Sequence, residues 1–131
     1  MISRGRVFHA DQLPGFLARE QIGNIGLVTY SINGAECEIV TLNSFRENRG
    51  IASALLNAVH SVARQGGCTH ARLITTNDNL RALRFYQKRG FTLIALHRNA
   101  LEESRKLKPQ IPLLGIDGIP IRDELELELV L

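Results

Sequence analysis

The sequence predicts an α/β domain on a mixed sheet, and three stretches carry that prediction. Residues 25–42 read as two strands about a tight turn. Residues 51–96 alternate helix, strand, helix, strand. The terminal DELELELVL alternates leucine with glutamate. Periods of 3.6 and 2 in succession along one chain are the mark of a layered domain.

Taken in order, GRVFH (5–9) can form a first short strand and residues 15–20 a second, with Gly23-Asn24 supplying a turn. IGLVTYSI (25–32) has the branched and aromatic residues that suit a pleated surface. Asn33-Gly34 is the strongest short hairpin signal, and AECEIVTL continues as the partner strand. Simple alternation there puts Cys37, Ile39 and Thr41 on one face and Glu36, Glu38, Val40 and Leu42 on the other. Ile51, Leu55, Val59 and Val62 then recur at helical spacing until Gly66-Gly67. ARLITT (71–76) reads as a buried strand, and Leu80 to Arg89 as a helix capped by Asn77 or Asp78 and stopped by Gly90. FTLIAL (91–96) is a further strand. Residues 99–107 read as a short helix with Asn99 as cap, Glu102 and Glu103 in its first turn and Lys106 and Lys108 toward its end. IPLLGIDGIPI is irregular or hairpin-like, with an Asp-Gly turn, and the final strand buries Leu125, Leu127, Leu129 and Leu131 on one face.

With 131 residues and neither repeat nor low-complexity linker, the chain reads as one domain, 1–131. The apolar fraction of 44% and charged fraction of 22% are those of a soluble globular protein, which argues against disorder. No apolar run is long enough for a signal peptide or a membrane span, so a cytoplasmic protein without a membrane partner is expected. Cys37 and Cys68 have no metal-ligand spacing and read as free thiols; no metal is expected. The net charge of +3 is dispersed, which gives no basic cluster for a nucleic acid. A homodimer remains open.

Two segments carry chemistry. In NSFRENRGIASALL (43–56) a strand runs through a loop into a helix near Gly50. The first amides of a helix lack internal partners and carry the positive end of its dipole, so an anion such as a pyrophosphate is a natural guest. Gly50 and Ala52 permit close approach, and Arg46 and Arg49 add charge; an ordinary strand-to-helix turn is the alternative. In NDNLRALRFYQKRGF (77–91), Asn79, Ala82 and Tyr86 lie at i, i+3 and i+7, which offers an amide, a gap and a phenol along one side of a helix. Alternatively, Asn79 only starts that helix and Tyr86 is a core ring.

Together, in this order and about 30 residues apart, the two segments resemble the signatures of the GNAT acetyltransferase superfamily. Glu47-Asn48-Arg49-Gly50-Ile51-Ala52 answers to Q/R-x-x-G-x-G/A, with Glu47 where Gln or Arg is usual. Asn79 through Phe91 answers to N-x-x-A-x-x-F-Y-x-x-x-G-F without a gap. The resemblance implies a central, mostly antiparallel twisted mixed sheet flanked by helices, here with reduced N-terminal helices. It implies acetyl-CoA as cosubstrate and direct acetyl transfer to an amine, on a small molecule or a peptide. Leu42, Asn43 and Ser44 would end the strand that pairs with the pantetheine arm. Arg49, Gly50, Ile51, Ala52 and Ser53 would hold the pyrophosphate, with Glu47 turned away. Asn79, beside Ala82, would bond the pantetheine or acetyl end, and Tyr86 would protonate the leaving thiolate.

The acceptor amine must also lose a proton. Glu38 is the candidate base; Glu36, on the same predicted face, and a water chain are the competitors. His9, His60, His70 and His97 stand singly and read as structural, although His97 follows a strand that could border the site. Only about a dozen residues, with Pro14 and Gly15 among them, replace the family's early helices, so the acceptor wall is expected to be thin. The long stretch 97–123 is expected over the acceptor mouth or in a dimer contact, where Glu102, Glu103, Asp117 and Asp123 would favour a cationic amine. A silent acetyl-CoA sensor is the main alternative to an enzyme, and an RNA-associated protein a more distant one.

Overall fold

A computed structural model describes residues 2–3, 6–7, 13–21, 23–44 and 50–131, the first two pairs as backbone. Six strands form a mixed sheet in the order β3-β4-β5-β6-β8-β7: β3 (Gly15–Glu20), β4 (Gly23–Asn33), β5 (Glu36–Ser44), β6 (His70–Thr76), β7 (Thr92–His97) and β8 (Glu124–Val130). Three helices accompany it: α1 (Ile51–Gln65), α2 (Leu80–Lys88) and α3 (Ala100–Leu107). A separate two-stranded ribbon pairs β1 (Ile2–Ser3) with β2 (Arg6–Val7), where the sequence suggested a single strand at 5–9. Among the described residues no helix precedes α1, and none is long and apolar enough to cross a membrane. Two compact units share these elements: the described part of 9–72 with Val130 and Leu131, and 73–129 with the β1–β2 ribbon.

The first unit is an antiparallel meander backed by α1. Ile51, Leu55, Leu56, Val59 and Ala63 form the buried stripe of the helix; Val62, expected on it, is half-buried and Ala63 takes the inner position instead. That stripe lies directly on the sheet at Gly26, where a Cβ would come 2.7 Å from Ile51 Cγ2 and 3.0 Å from Leu55 Cδ1.

Three expectations are corrected here. Asn33 pairs with Glu36, so the hairpin turn is Gly34-Ala35, and only Gly34 has a positive φ, 61°. The hydrophobic registers of both strands fix their pairing, and the turn takes the two residues left over. Gly23 and Asn24 belong to β4, paired with Glu20 and Arg19, rather than forming a turn. Finally, the alternation in β5 breaks. Tyr30 pairs with Ile39 while Thr29 pairs with Thr41, so Val40 is an extra, bulged residue and Thr41 faces away from Ile39. A bulge of this kind re-aims every side chain beyond it. The Thr29 and Thr41 hydroxyls meet across the strands at 2.6 Å.

In the second unit, α2 and β7 are joined by an aromatic cluster. Tyr86 meets Phe91 edge-on at 5.4 Å and Phe85 at 5.2 Å, and the Arg89 guanidinium lies 3.6 Å above the Phe85 ring. Such geometries match the ring quadrupoles. The cap of α2 is Asn79, not Asn77 or Asp78: its Oδ1 accepts from the Ala82 amide at 3.2 Å. Asn99 starts α3 but makes no side-chain cap; it takes a left-handed φ of 61°, and Asp123 Oδ1 accepts its backbone N–H at 2.9 Å. The Asp-Gly turn is present, with Asp117 and Gly118 both at positive φ, and a Leu114–Pro120 bridge makes residues 113–121 hairpin-like.

In β8, Leu127 is fully buried and Leu125 and Leu129 are half-buried, but Glu124 is also buried and Glu126 half-buried. Residues on both faces of the strand are thus largely covered, rather than those on one alone.

Candidate functional site

In the first unit, Leu42, Asn43 and Ser44 end β5 in register with Val28, Leu27 and Gly26 of β4; Leu42 is half-buried and the other two are exposed. Arg46, Glu47 and Arg49 lie outside the described residues, as does His9. Gly50 opens α1 at φ 69°, ψ 13°. Among the described residues no side chain caps this end and no carboxylate occupies its first turn; the first helical bond runs from Ala54 N to Gly50 O at 3.0 Å. A helix normally satisfies its opening amides with a Ser, Thr, Asp or Asn cap. Here Gly50 presents no side chain, and a Cβ on it would meet nothing within 4 Å. A helix that begins at glycine, with no side chain at the cap position, presents the positive end of its dipole at Ile51 and Ala52, an arrangement suited to an anion.

The same unit separates the two candidate bases. The Glu38 side chain is 10% exposed and that of Glu36 51%. The Arg72 guanidinium reaches both, at 3.6 Å each. Glu38 is thus a buried, oriented carboxylate rather than a solvated strand residue, and Glu36 is largely at the surface. Burial raises the Cys37 thiol to about 11, with Cys68 and Glu38 adding to the effect, so this cysteine stays protonated and unreactive. His60 is buried on α1, where burial and then Arg64 lower its pKa. The His70 ring contacts the Thr69 hydroxyl at 2.8 Å.

In the second unit, Asn79, Ala82 and Tyr86 follow one another along α2, with Asn79 as cap rather than as part of the helical face. Its side-chain oxygen serves the helix, and its amide nitrogen supplies the donors for a ligand. Ala82 is half-buried and Tyr86 only 8% exposed. Burial pushes the Tyr86 phenol up to about 12, so it remains neutral throughout the physiological range. His97, on β7, is held by Glu126 at 2.6 Å.

Asp123 was expected among the acidic residues that would select a cation. It is instead buried and committed internally. Both oxygens accept from Arg122 at 2.9 Å, and Oδ1 also accepts the Asn99 amide. The Arg122 hydrogen bonds, with the Asn99 amide and nearby arginines, hold its carboxyl below the usual range against the opposing effect of burial. A lowered carboxyl pKa contributes stability above the unfolded value, near pH 4, and loses it as pH falls through the folded value. Asp123→Ala should therefore cost about 1–2 kcal/mol at pH 7, through the lost hydrogen bonds to the Asn99 amide and Arg122, and progressively less below pH 4 in denaturant titrations. Glu102, Glu103 and Asp117 stay at the surface, and Glu103 pairs with Lys106.

Sequence reasoning missed the network around Asn77 and Asp78. Asn77 Oδ1 accepts the Arg122 and Asp123 amides at 3.0 and 2.9 Å, and its Nδ2 donates to Pro120 O at 2.8 Å. The only signal was the dipeptide itself, which serves a helix start equally well. Among the described residues, no three His, Cys, Asp or Glu side chains come together as a metal site.

This architecture is that of the GNAT acetyltransferases. A Bacillus subtilis acetyltransferase solved in complex with CoA superposes with a TM-score of 0.76 at 21% identity, over 92% of this chain and 78% of that one. A GNAT acetyltransferase from Elizabethkingia anophelis with acetyl-CoA bound gives 0.75 at 23%, over 88% and 74%. The sequence model of the Acetyltransferase (GNAT) family matches residues 4–91. The Bacillus subtilis (strain 168) protein YdhI is 49% identical over 125 residues, 95% of this chain and 78% of its own. The chain belongs to the GNAT family.

Proposed function

We propose that this protein is an acetyl-CoA-dependent N-acetyltransferase that passes the acetyl group directly to an amine, on a small molecule or a peptide. The observation that carries the reading is the start of α1: a left-handed glycine stands at the cap position and, among the described residues, no acidic side chain lies in the first turn. Two structural relatives with CoA or acetyl-CoA bound support the choice of cosubstrate. The pyrophosphate takes the amides of Gly50, Ile51, Ala52 and Ser53, and Arg49 adds charge. Leu42, Asn43 and Ser44 receive the pantetheine arm, and Asn79 bonds it through its amide nitrogen, with Ala82 leaving room.

In the reaction the amine lone pair attacks the thioester carbonyl carbon, the C–N bond forms, the C–S bond breaks and CoA thiolate departs. Glu38 accepts the proton that the amine sheds, directly or through water. A thiol ordinarily titrates near 8.5, so full proton transfer from a phenol at about 12 is uphill by several kcal/mol. Tyr86 therefore acts mainly as a hydrogen-bond donor that stabilises the sulfur as charge develops, and solvent completes the protonation.

Two consequences can be measured in a thiol-release assay over protein N-terminal peptides, polyamines, amino acids and aminoglycosides. Tyr86→Phe should lower kcat about 10- to 100-fold on whichever amine turns over, with KM for acetyl-CoA little changed. In the wild type, activity should rise with pH as the amine deprotonates and persist through pH 10, where an ordinary tyrosine would already ionise. Binding of acetyl-CoA without turnover on any amine would replace this reading by that of a sensor.

A further inference from the structure

The turn between β6 and α2 is fastened to a loop far away in sequence, and the chemistry above makes no use of that fastening. Asp78, 5% exposed, is its centre. One carboxylate oxygen accepts the Thr76 hydroxyl at 2.5 Å; the other accepts the Ile116 amide at 3.0 Å. A buried carboxylate needs such partners, and these two belong to separate segments of chain. Gly115 faces the same oxygen: a Cβ there would lie 2.1 Å from Asp78 Oδ2. A side chain at position 115 therefore has no room beside the carboxylate.

The loop is itself tied to α3. From α3, Arg105 Nε donates to Ile111 O at 3.3 Å, and Nη2 donates to Pro112 O and Ile121 O at 2.7 and 2.6 Å. On the other side, the turn passes its position on within one residue. The Asn79 amide donates to Thr76 O and the Leu80 amide to Asp78 O, and Asn79 then caps the helix.

We propose that Asp78 is a positioning residue for acetyl transfer: seated on the 111–121 loop, it fixes where α2 begins and hence where Asn79 and Tyr86 sit. This rests on the acetyl-CoA reading above. It gives residues 97–123 a role different from the acceptor cover or dimer contact expected from sequence. The shape and hydrogen bonds of the carboxylate matter here, not its charge. An asparagine can accept from Ile116 and donate to the Thr76 oxygen, so Asp78→Asn should preserve the tie and Asp78→Ala should cut it.

The test compares wild type, Asp78→Asn, Asp78→Ala and Gly115→Ala by CoA titration calorimetry, steady-state kinetics and amide hydrogen exchange. Asp78→Ala and Gly115→Ala should weaken CoA binding and raise KM for acetyl-CoA about tenfold, since small displacements of positioning groups are costly. Both should speed exchange at Ala82 and Leu83, while Asp78→Asn stays within about twofold of wild type throughout, at the noise of such comparisons. The two disruptive changes should also combine less than additively, because removing the carboxylate relieves the clash made by the new methyl. If Asp78→Ala does not fold, Gly115→Ala carries the test alone. Unchanged exchange and KM in the disruptive variants, or an Asp78→Asn as impaired as Asp78→Ala, would overturn the proposal. If the wild type fails to bind CoA while exchange still responds, the acetyl-CoA reading falls and the proposal with it, leaving a structural tie only.

Discussion

Gly50→Val should lose CoA affinity by a hundredfold or more. Gly50 sits at φ 69°, a region that costs an L-residue about 1–2 kcal/mol and a β-branched one more. The valine side chain would also add bulk at the start of the helix, where the pyrophosphate is proposed to bind. Charge-assisted hydrogen bonds contribute about 1.5–3 kcal/mol each, so losing two of them gives a factor of this size. Gly67 supplies the control. It lies just beyond the other end of α1, at φ 86°, with equal space around it. Gly67→Val should cost comparable stability and leave CoA affinity unchanged, which calorimetry can show directly.

Glu38→Gln should lower kcat by about 10²-fold at neutral pH while KM for acetyl-CoA holds, because a positioned base typically contributes 10²–10⁴. The amide keeps the shape of the buried side chain but cannot take up a proton. Raising the pH should restore part of the lost rate as more of the amine arrives unprotonated. Glu36→Gln, at a half-exposed carboxylate, should change the rate less than twofold, since exposed ion pairs contribute little. Equal losses in both variants would show that Arg72, shared by the two carboxylates, is what matters.

The elements of this fold were legible because their periods are clean. The stripe Ile51, Leu55 and Val59 and the strand ARLITT each fall where the sequence put them. What escaped was decided by pairing across the sheet. The bulge at Val40 follows from the register of two strands, and no local pattern in AECEIVTL announces it. Helix caps erred for a related reason. Asn77, Asp78 and Asn79 are all competent caps, and tertiary partners drew the first two away to Arg122, Asp123 and Ile116. Asp123 was misread because a carboxylate on a polar stretch looks solvent-facing until its arginine and its amide are in place.

For the candidate site, the motif spacing singled out Gly50, Asn79 and Tyr86 as candidates without help from the fold. It could not separate Glu38 from Glu36, since alternation gives the two the same face; burial does so at once. Nor could it show that burial pushes the Tyr86 phenol up to about 12, because that depends on how deeply the ring is buried.

An amide-resolved NMR titration of the full chain with CoA tests the central claim most directly. The account predicts that the amides of Ile51, Ala52 and Ser53 move first and furthest, followed by the side-chain amide of Asn79. Binding that leaves the start of α1 unmoved, or no binding at millimolar CoA, a concentration at which even a weak nucleotide site would fill, would contradict it.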